Sequence, residues 1–493
     1  MYLKKTKRKG RVYLSVVQNY RRDGKVRSKT VEALGYVDEL EKRYPDPVAY
    51  FQAYVNEKNR QASQAGEPVH LTIGRNARIE PHSASAVSLG GAISLGYADA
   101  FACGRLFGGG GTGRIFELLL VARMMHAVPI RDTWNNRLKF LRALDMPYSD
   151  VYRAFEVYAQ SSRTMVDNLN ARYVELRGPR HRENVRLVLS NYTFRRAQSA
   201  SAGGPDELVS SEFARLCLVI DAAGIPLTYR IVNRDLTGGE IVDLMADLKR
   251  ETGASRVTLV AAQIPAAEWV MDAISRRGDG YVLLQPAELV SRELNEWISD
   301  DAGYAVTRNG AYRIKSRIAD RREGPTSAKE IALRSASAES ASAFCIVTNE
   351  TTRSDAAVFN IYRELWRVHE PFQIIPADFI AMPYQVDSAT HIQAHFAICY
   401  AAFFVLRVLR QGMNWHYDAA QVADALLGME GAYLDENWYV FNYRTGVTDA
   451  IQESVGMDVG RRLMSRADIR NVAPAVAKAV TDGNSKKQLA NTP

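Results

Sequence analysis

Histidine side chains are the residues of this 493-residue chain whose spacing could bind a metal ion. His391 and His395 stand four residues apart, which places both imidazoles on one face of a helix and can hold zinc. His369 could approach them, but no glutamate follows His391 as the zinc-protease motif requires. We therefore interpret the pair as structural or surface histidines and predict no metal site.

Nucleophilic catalysis has no motif in this sequence. The Gly-x-Ser-x-Gly motif is missing, and the four cysteines lack basic neighbours. Their scatter through apolar stretches predicts buried thiols in a reducing compartment rather than disulfides or a zinc cluster. The sequence has no run of about 18 uncharged apolar residues and no apolar secretory segment at its N-terminus. We therefore expect a cytoplasmic protein without a membrane segment.

Positive charge is concentrated in the first 30 residues. They carry eleven lysines and arginines against Asp23 alone, a net +10, whereas the whole chain carries +8. Such a patch predicts salt-dependent binding to phosphate backbones, with a solvated basic arm as the alternative. The side chains that we predict to contact DNA here are Lys4, Lys5, Lys7, Arg8, Lys9, Arg11, Arg21, Arg22, Lys25, Arg27 and Lys29.

Hydrophobic periodicity predicts the elements that would position these groups. Residues 11–18 and 25–34 predict two strands joined by a turn with Asp23-Gly24 at its centre, and residues 114–175 have helical spacing. From residue 184 the spacing alternates between strand and helix. The elements predicted there are strands at 185–193, 215–220 and 225–232, a helix at 239–252, a strand at 257–261, a helix at 266–276 and a strand at 281–285.

A stretch near residue 360 links this pattern to a known family. Tyr362 is followed by the block Leu365-Trp366-Arg367, and the stretch from Val358 to Gln373 resembles the helix that ends the active site of bacterial insertion-sequence transposases. These have an RNase H-like core with a DDE metal triad, in the branch marked by Y-x2-R-x3-E-x6-K. The basic start, with Leu34-Gly35-Tyr36, and the later phrase from His395 to Cys399 follow the family's order, so the resemblance covers nearly the whole chain.

The resemblance implies a fold and a set of partners. We expect an α/β protein with an RNase H-like core, a β-rich insertion, a basic N-terminal hairpin, a helical domain and a small C-terminal unit. The partner would be double-stranded DNA, including transposon ends, at the nucleoid, and a homodimer is left open. Tyr362, Trp366 and Arg367 would contact DNA, with core packing as the alternative for Trp366. The expected divisions are residues 1–72 (DNA-binding), 73–180 (helical), 181–300 (first part of the core), 301–340 (insertion), 341–412 (second part of the core) and 413–493 (C-terminal unit and polar tail).

The same resemblance locates three metal-binding acids, and none of the three positions carries one. The positions are Val188, Ala262 and His369, while the arginine and lysine of the motif are replaced by Leu365 and Pro376. Transposition uses two Mg²⁺ ions, which are hard cations that prefer carboxylate oxygen. We therefore predict a DNA-binding protein that does not cleave or join strands and that needs no cofactor.

Two alternatives to this interpretation stay open. The first is an active Mg²⁺-dependent transposase that performs cut-and-paste transposition with acids placed elsewhere, for which Asp221, Asp235 and Glu370 are the candidates. Asp221 has the context of a turn residue before Gly224. The second is a structural or oligomerisation role without DNA, against which the basic arm argues.

Overall fold

A computed structural model provides the structure of this chain, which divides into two compact units, Met1–Ala77 and Arg78–Pro493. The residues that the structure describes are 2–8, 10–22, 25–65, 86–126, 128–140, 144, 146–197, 209–262, 268–285, 291–307, 312–319, 327–335, 343–369, 372, 388–434 and 437–482.

The first unit is a three-stranded antiparallel sheet with two helices. Its strands, in spatial order, are β1 (Tyr2–Arg8), β2 (Arg11–Arg22) and β3 (Lys25–Tyr36), followed by helices α1 (Val37–Leu40) and α2 (Pro47–Ala65). The hairpin predicted from the sequence is found as β2 and β3, whereas the turn at Asp23-Gly24 lies outside the described residues. Strand β1 was not predicted, because its run of lysines obscures the alternation of apolar residues.

The second unit contains a nine-stranded mixed sheet and a smaller four-stranded sheet. Its strands are β4 (Ala86–Ser88), β5 (Asn184–Ala197), β6 (Val209–Ile220), β7 (Pro226–Val232), β8 (Arg256–Ala261), β9 (Gly280–Gln285), β10 (Ala305–Val306), β11 (Tyr312–Ala319), β12 (Ala328–Ser335), β13 (Phe344–Thr348), β14 (Glu430–Tyr433), β15 (Trp438–Phe441) and β16 (Leu463–Ser465).

Helices surround both sheets. They are α3 (Leu89–Ala100), α4 (Gly110–Met125), α5 (Ile130–Asn135), α6 (Ser149–Gln160), α7 (Ser162–Arg177), α8 (Gly238–Thr252), α9 (Glu268–Arg276), α10 (Arg292–Ser299), α11 (Asp355–His369), α12 (Ser388–Gly412), α13 (Ala419–Gly428), α14 (Gly446–Val455), α15 (Arg466–Arg470) and α16 (Val472–Asp482), together with 3-10 turns at Cys103–Arg105 and Arg137–Lys139. The chain is thus a mixed α/β protein, as predicted.

The large sheet has the strand order β10-β11-β12-β13-β9-β8-β5-β6-β7. Strand β6 is antiparallel to β5 and β7, whereas β5, β8 and β9 are mutually parallel. Parallel neighbours need a crossover, and α8 and α9 supply the helices between β7 and β8 and between β8 and β9. The element order predicted for residues 185–285 is therefore found. The strands of the predicted β-rich insertion extend this same sheet beyond β9.

Alternation along the central strand β5 divides the apolar core between the two faces of the sheet. Leu187 and Leu189 point to one face, where α8, α9 and α10 pack, and Val188 points to the other. The second face carries α11 and α12, and α12 also contacts α4, α6 and α7. Because both faces are covered, β5 is apolar over this whole stretch.

Helix α12 is the one described helix that is long and apolar enough to cross a membrane, between Ala389 and Gly412. In this structure 94% of the most apolar stretch of this helix is buried inside the protein. Its composition is therefore explained by its place at the centre of the helical layer, where Phe396, Phe403 and Phe404 are fully buried.

The C-terminal segment packs with the start of the second unit. Strand β14 pairs with β4, and α16 packs against α3. The approach is close at Gly90 of α3, where an added Cβ would lie 1.9 Å from the backbone oxygen of Leu426 in α13. Glycine is needed at residue 90 because two helices approach there, whereas no described atom lies within 4 Å of a Cβ at Gly239 in α8.

We expect Gly90→Ala to destabilise the second unit and Gly239→Ala to leave it unchanged or slightly more stable. The first variant forces a methyl group into backbone, and overpacking of this kind costs about 1–3 kcal/mol or more. The second reduces the entropy of the unfolded chain without a clash, a gain of about 0.4–1 kcal/mol. Urea unfolding followed by circular dichroism measures both, and equal stabilities of the two variants would contradict the packing described here.

Candidate nucleic-acid interface and expected metal site

Two of the three expected metal-binding positions lie on one face of the sheet. In the parallel pair of β5 and β8, Val188 is opposite Val260, and Ala262 is the first residue after β8 ends. The Val188 side chain is fully buried, and Ala262 packs against the same apolar cluster. Val188 and Ala262 therefore belong to adjacent strands and to the same face, as a shared site requires.

Helix α11 covers this face. It packs against β5, β8 and β9, and it buries Val358, Ile361 and Tyr362 in the same core. His369 is the last residue of α11, and its side chain lies outside the described residues, as do the side chains of Trp366 and Arg367. The convergence of all three expected positions therefore stays a prediction. Val188 and Ala262 share a face, and the backbone of α11, which carries His369, packs on that face.

Among the described residues, this face shows no cluster of metal-binding side chains. Val188 and Ala262 contribute hydrocarbon alone, and no group of three or more His, Cys, Asp or Glu side chains among the described residues could hold a metal ion. Mg²⁺ would need carboxylates at these positions.

Asp221, a candidate acid for an active enzyme, forms a buried ion pair. Its Oδ2 accepts a hydrogen bond from Arg180 Nε at 2.9 Å, and its Oδ1 accepts one from the backbone N–H of Ile225 at 2.8 Å. It follows the last residue of β6, at the end of the sheet where β5 begins, whereas Ala262 follows the end of β8. Asp221 thus fixes the turn between β6 and β7, at the opposite end of the β5–β8 pair from Ala262.

Asp235, the second candidate acid, is an exposed partner of a buried arginine. Its carboxylate accepts a hydrogen bond from Arg215 at 2.6 Å, and Arg215 also donates to Asn191 at 2.8 Å. Asn191 is an odd number of residues from Val188 on the same strand, so the two side chains point to opposite faces of the sheet. Glu370, the third candidate, lies outside the described residues.

The two histidines of α12 are core residues. His391 and His395 are buried, the His391 ring centroid lies 4.9 Å from that of Phe155, and His395 Nε2 lies 3.5 Å from the Sγ atom of Cys399. Burial lowers the pKa of His391 to about 4 and holds the pKa of His395 well below its usual value. The structural interpretation of these histidines is therefore confirmed over the surface one.

All four cysteines are free and buried, as predicted from their apolar neighbours. Burial raises the pKa of Cys217 and of Cys345 to about 12. Neither thiol is therefore an activated nucleophile.

The basic strands of the first unit expose the lysines whose side chains are described. Lys4, Lys5 and Lys7 on β1 and Lys29 on β3 are exposed. A free ammonium group at the surface can contact a phosphate oxygen without losing an existing partner. Lys9 lies outside the described residues, and Arg8, Arg21, Arg22, Lys25 and Arg27 are described only in their backbone.

Arg11 differs from these lysines because two carboxylates hold it. Its guanidinium donates to Asp38 at 2.6 and 2.8 Å and to Glu39 at 2.6 Å, and it lies 4.1 Å from the centre of the Tyr36 ring. The hydrogen bonds that Arg11 donates to Asp38 and Glu39 raise the pKa of Arg11 above its ordinary value. Part of its charge is therefore neutralised within the first unit.

Tyr362 is 2% exposed, and its ring centroid lies 6.0 Å from that of Phe344. This buried position gives no support to the predicted contact between Tyr362 and DNA, which stays a prediction, as do those of the basic residues.

Comparison with known families gives one match in the first unit. Residues 3–69 match the family model described as IS1634 family transposase, N-terminal domain. This match supports an insertion-sequence transposase. No curated protein matches the chain. The matched segment contains β1 from its second residue, β2, β3, α1 and α2, and it ends before the large sheet begins. It also contains every basic residue predicted to bind DNA in the first 30 residues.

One cluster was missed by the sequence reasoning. Arg186, Arg363, Arg407 and Arg410 come from three different elements and line one pocket of the second unit. The three-residue spacing of Arg407 and Arg410 on α12 was the one local signal available, since residues three apart share a helix face.

We expect Asp221→Asn to destabilise the protein by about 3–5 kcal/mol, because it leaves the buried Arg180 guanidinium without its counter-charge. The matched variant Asp247→Asn removes a carboxylate whose partner, Arg250, is 78% exposed, and it should change the free energy of unfolding by less than about 1 kcal/mol. Urea unfolding compares the two. An Asp221→Asn protein with wild-type stability would contradict a stabilising role for this ion pair in the turn.

We expect wild-type stability to fall as pH decreases from 6.5 towards 4, and His391→Gln to weaken that fall. The pKa of His391 is near 4 in the folded protein against 6.5 for a free histidine, so the unfolded chain binds the proton first. The stabilisation is complete above pH 6.5 and is lost as pH falls through this window. Urea unfolding at several pH values measures the slope, and Gly239→Ala, which should parallel wild type, is the control. Parallel curves for His391→Gln and wild type would contradict a buried neutral His391.

Proposed function

We propose that this chain is a transposase-family DNA-binding protein that does not cleave or join DNA strands. The observation that carries the proposal is the fully buried valine at position 188, on the same face as Ala262 and beneath α11. A metal-dependent enzyme of this family would need carboxylates at these positions. The match of residues 3–69 supports the transposase origin.

The strand order supports an RNase H-like core for the second unit. An RNase H-like core has three antiparallel strands in sequence, then a helix and a strand parallel to the first, then a further helix and parallel strand. Strands β5, β6, β7, β8 and β9 with α8 and α9 follow this order, and β5 lies between β6 and β8. The resemblance places the first acid on the first of these strands, and β5 carries Val188.

The loss of carboxylates would remove most of the catalytic rate. If each missing ligand costs on the order of 3 kcal/mol in transition-state stabilisation, three would cost around six decades in rate. The effects of several substitutions within one site are not additive, so this value gives only the order of magnitude of the lost rate. A neutral imidazole at position 369 would offer nitrogen, which suits zinc better than Mg²⁺.

The exposed lysines of the first unit would supply DNA affinity without a metal. Lys4, Lys5, Lys7 and Lys29 are exposed, and each phosphate that such a cation neutralises releases a counterion. We propose double-stranded DNA, including transposon ends, as the partner, in the cytoplasm at the nucleoid. The protein would then occupy ends without processing them.

An active transposase with acids elsewhere is supported less well. Asp221 and Asp235 are both engaged by arginines, and Asn191, which shares Arg215 with Asp235, points to the face opposite that of Val188. This alternative would use Mg²⁺, and it is the outcome that a cleavage assay would reveal.

We expect the purified protein to shift duplex DNA in a salt-sensitive manner and to leave supercoiled plasmid intact with Mg²⁺ or Mn²⁺. Replacing Lys4, Lys5 and Lys7 by glutamine should reduce the slope of log K against log salt by about 2–3, since each lost phosphate contact contributes about 0.9. The matched control removes three exposed charges of the second unit, Arg153, Arg250 and Arg292, and should keep the wild-type slope.

Three results would distinguish the proposed function from its alternatives. Metal-dependent nicking that co-purifies with the protein would establish the active transposase instead. A protein that shifts no duplex even at low salt would favour a structural role. Equal slopes for the two triple variants would remove the lysines of β1 from the DNA interface.

A further inference from the structure

An arginine-lined pocket opens on the second unit, on the side of the sheet that carries Val188. Its volume is about 600 Å³, within the range of ligand pockets in proteins. Arg186 comes from β5, Arg363 from α11, and Arg407 and Arg410 from α12. Four guanidinium groups from three elements thus meet at one cavity.

Backbone oxygens and an aromatic ring hold two of these arginines in place. Arg407 Nε donates to the carbonyl oxygen of Gly224 at 2.6 Å, and Arg410 Nε donates to that of Tyr417 at 2.9 Å. Both guanidinium groups lie over the ring of Trp415, at 4.7 and 5.2 Å from its centre. These contacts fix the orientation of the two guanidinium groups.

The backbone around the pocket is adapted to these contacts. Trp415 has φ 58° and the preceding Asn414 has φ 53°, a left-handed conformation that is rare for a residue as large as tryptophan. Gly224 has φ 86°, and a Cβ there would lie 2.7 Å from Arg407 Nη2. The turn between β6 and β7 therefore needs glycine both for its conformation and for the approach of the guanidinium group.

The described lining of the pocket is strongly positive. It contains four arginines and one carboxylate, that of Asp418, together with His416. Asp418 caps α13, where its Oδ1 accepts a hydrogen bond from the backbone N–H of Gln421 at 2.9 Å. A concave site lined mainly by positive charges attracts an anion.

We propose that this pocket binds a phosphate group of the DNA backbone, a proposal that rests on the proposed DNA-binding function. The planar forks of arginine bind phosphate oxygens in pairs, and this requires no metal. Arg363 and Arg186 are half-buried, and Arg407 and Arg410 are buried. Arg186 is two residues before Val188, about 6.6–6.8 Å along the strand, towards the end of the sheet where β6 meets the turn at Asp221.

The experiment measures duplex binding by the full-length protein as a function of KCl concentration. Arg363→Gln and Arg186→Gln should each weaken binding several-fold and lower the slope of log K against log salt by about 0.9, the value for one phosphate contact. Arg363→Lys keeps the charge and should keep the slope. Arg292→Gln, at a 93% exposed arginine of α10, is the matched control and should bind as wild type does. Thermal unfolding checks that each variant is folded.

Distinct outcomes overturn the pocket and the proposed function. If wild type binds duplex and both glutamine variants keep its affinity and slope, the pocket is no part of the DNA interface. If inorganic phosphate at constant ionic strength raises the melting temperature of wild type but not of Arg363→Gln, while both bind duplex equally, the pocket takes free phosphate and the DNA assignment is wrong. If wild type binds no duplex at low salt, the proposed function and this site both fall.

Discussion

The pairing of β5 with β6 on one side and β8 on the other is the constraint on which the second unit depends. It makes β5 an interior strand with both faces covered by helices. A strand in that position can carry polar groups only where they find partners, because an unpaired buried polar group costs several kcal/mol. The residue type at position 188 therefore determines whether this part of the face is charged or apolar. A carboxylate there needs cations around it, whereas valine simply completes the apolar layer with Val260.

Charge in this protein is divided between fixed and available groups. The Arg180–Asp221 pair is 1% exposed on both sides and serves the turn that follows β6. Arg11, although on a basic strand, is held by Asp38 and Glu39. The lysines of β1 and Lys29 are exposed, and this difference separates cations that organise the fold from cations that can meet a phosphate.

Binding and cleavage place different demands on one scaffold. Cleavage by paired metal ions needs several carboxylates within a fraction of an ångström of their working geometry, and one replacement removes much of the rate. Binding to a phosphate backbone sums many weaker contacts, each replaceable. A transposase scaffold can therefore lose its acids and keep its affinity for DNA, provided that its sheet stays packed. Valine and alanine at two of the expected positions are residues that keep it packed.

The sequence by itself determined the local elements and their order. The β2–β3 hairpin, the strands and helices between residues 184 and 285, and the buried state of the cysteines follow from alternation, helical spacing and apolar neighbours, which are properties of contiguous residues.

The sequence did not reveal β1, whose lysines hide its alternation, nor the pairing of β4 with β14, nor that the predicted insertion continues the large sheet. It located Val188 and Ala262 through a resemblance and placed Asp221 in a turn, but not in an ion pair with Arg180. These features, like the meeting of Arg186, Arg363 and Arg407, join residues far apart in the chain. Only tertiary packing brings such residues together, because the contacts that hold them form between elements and leave no period in the sequence.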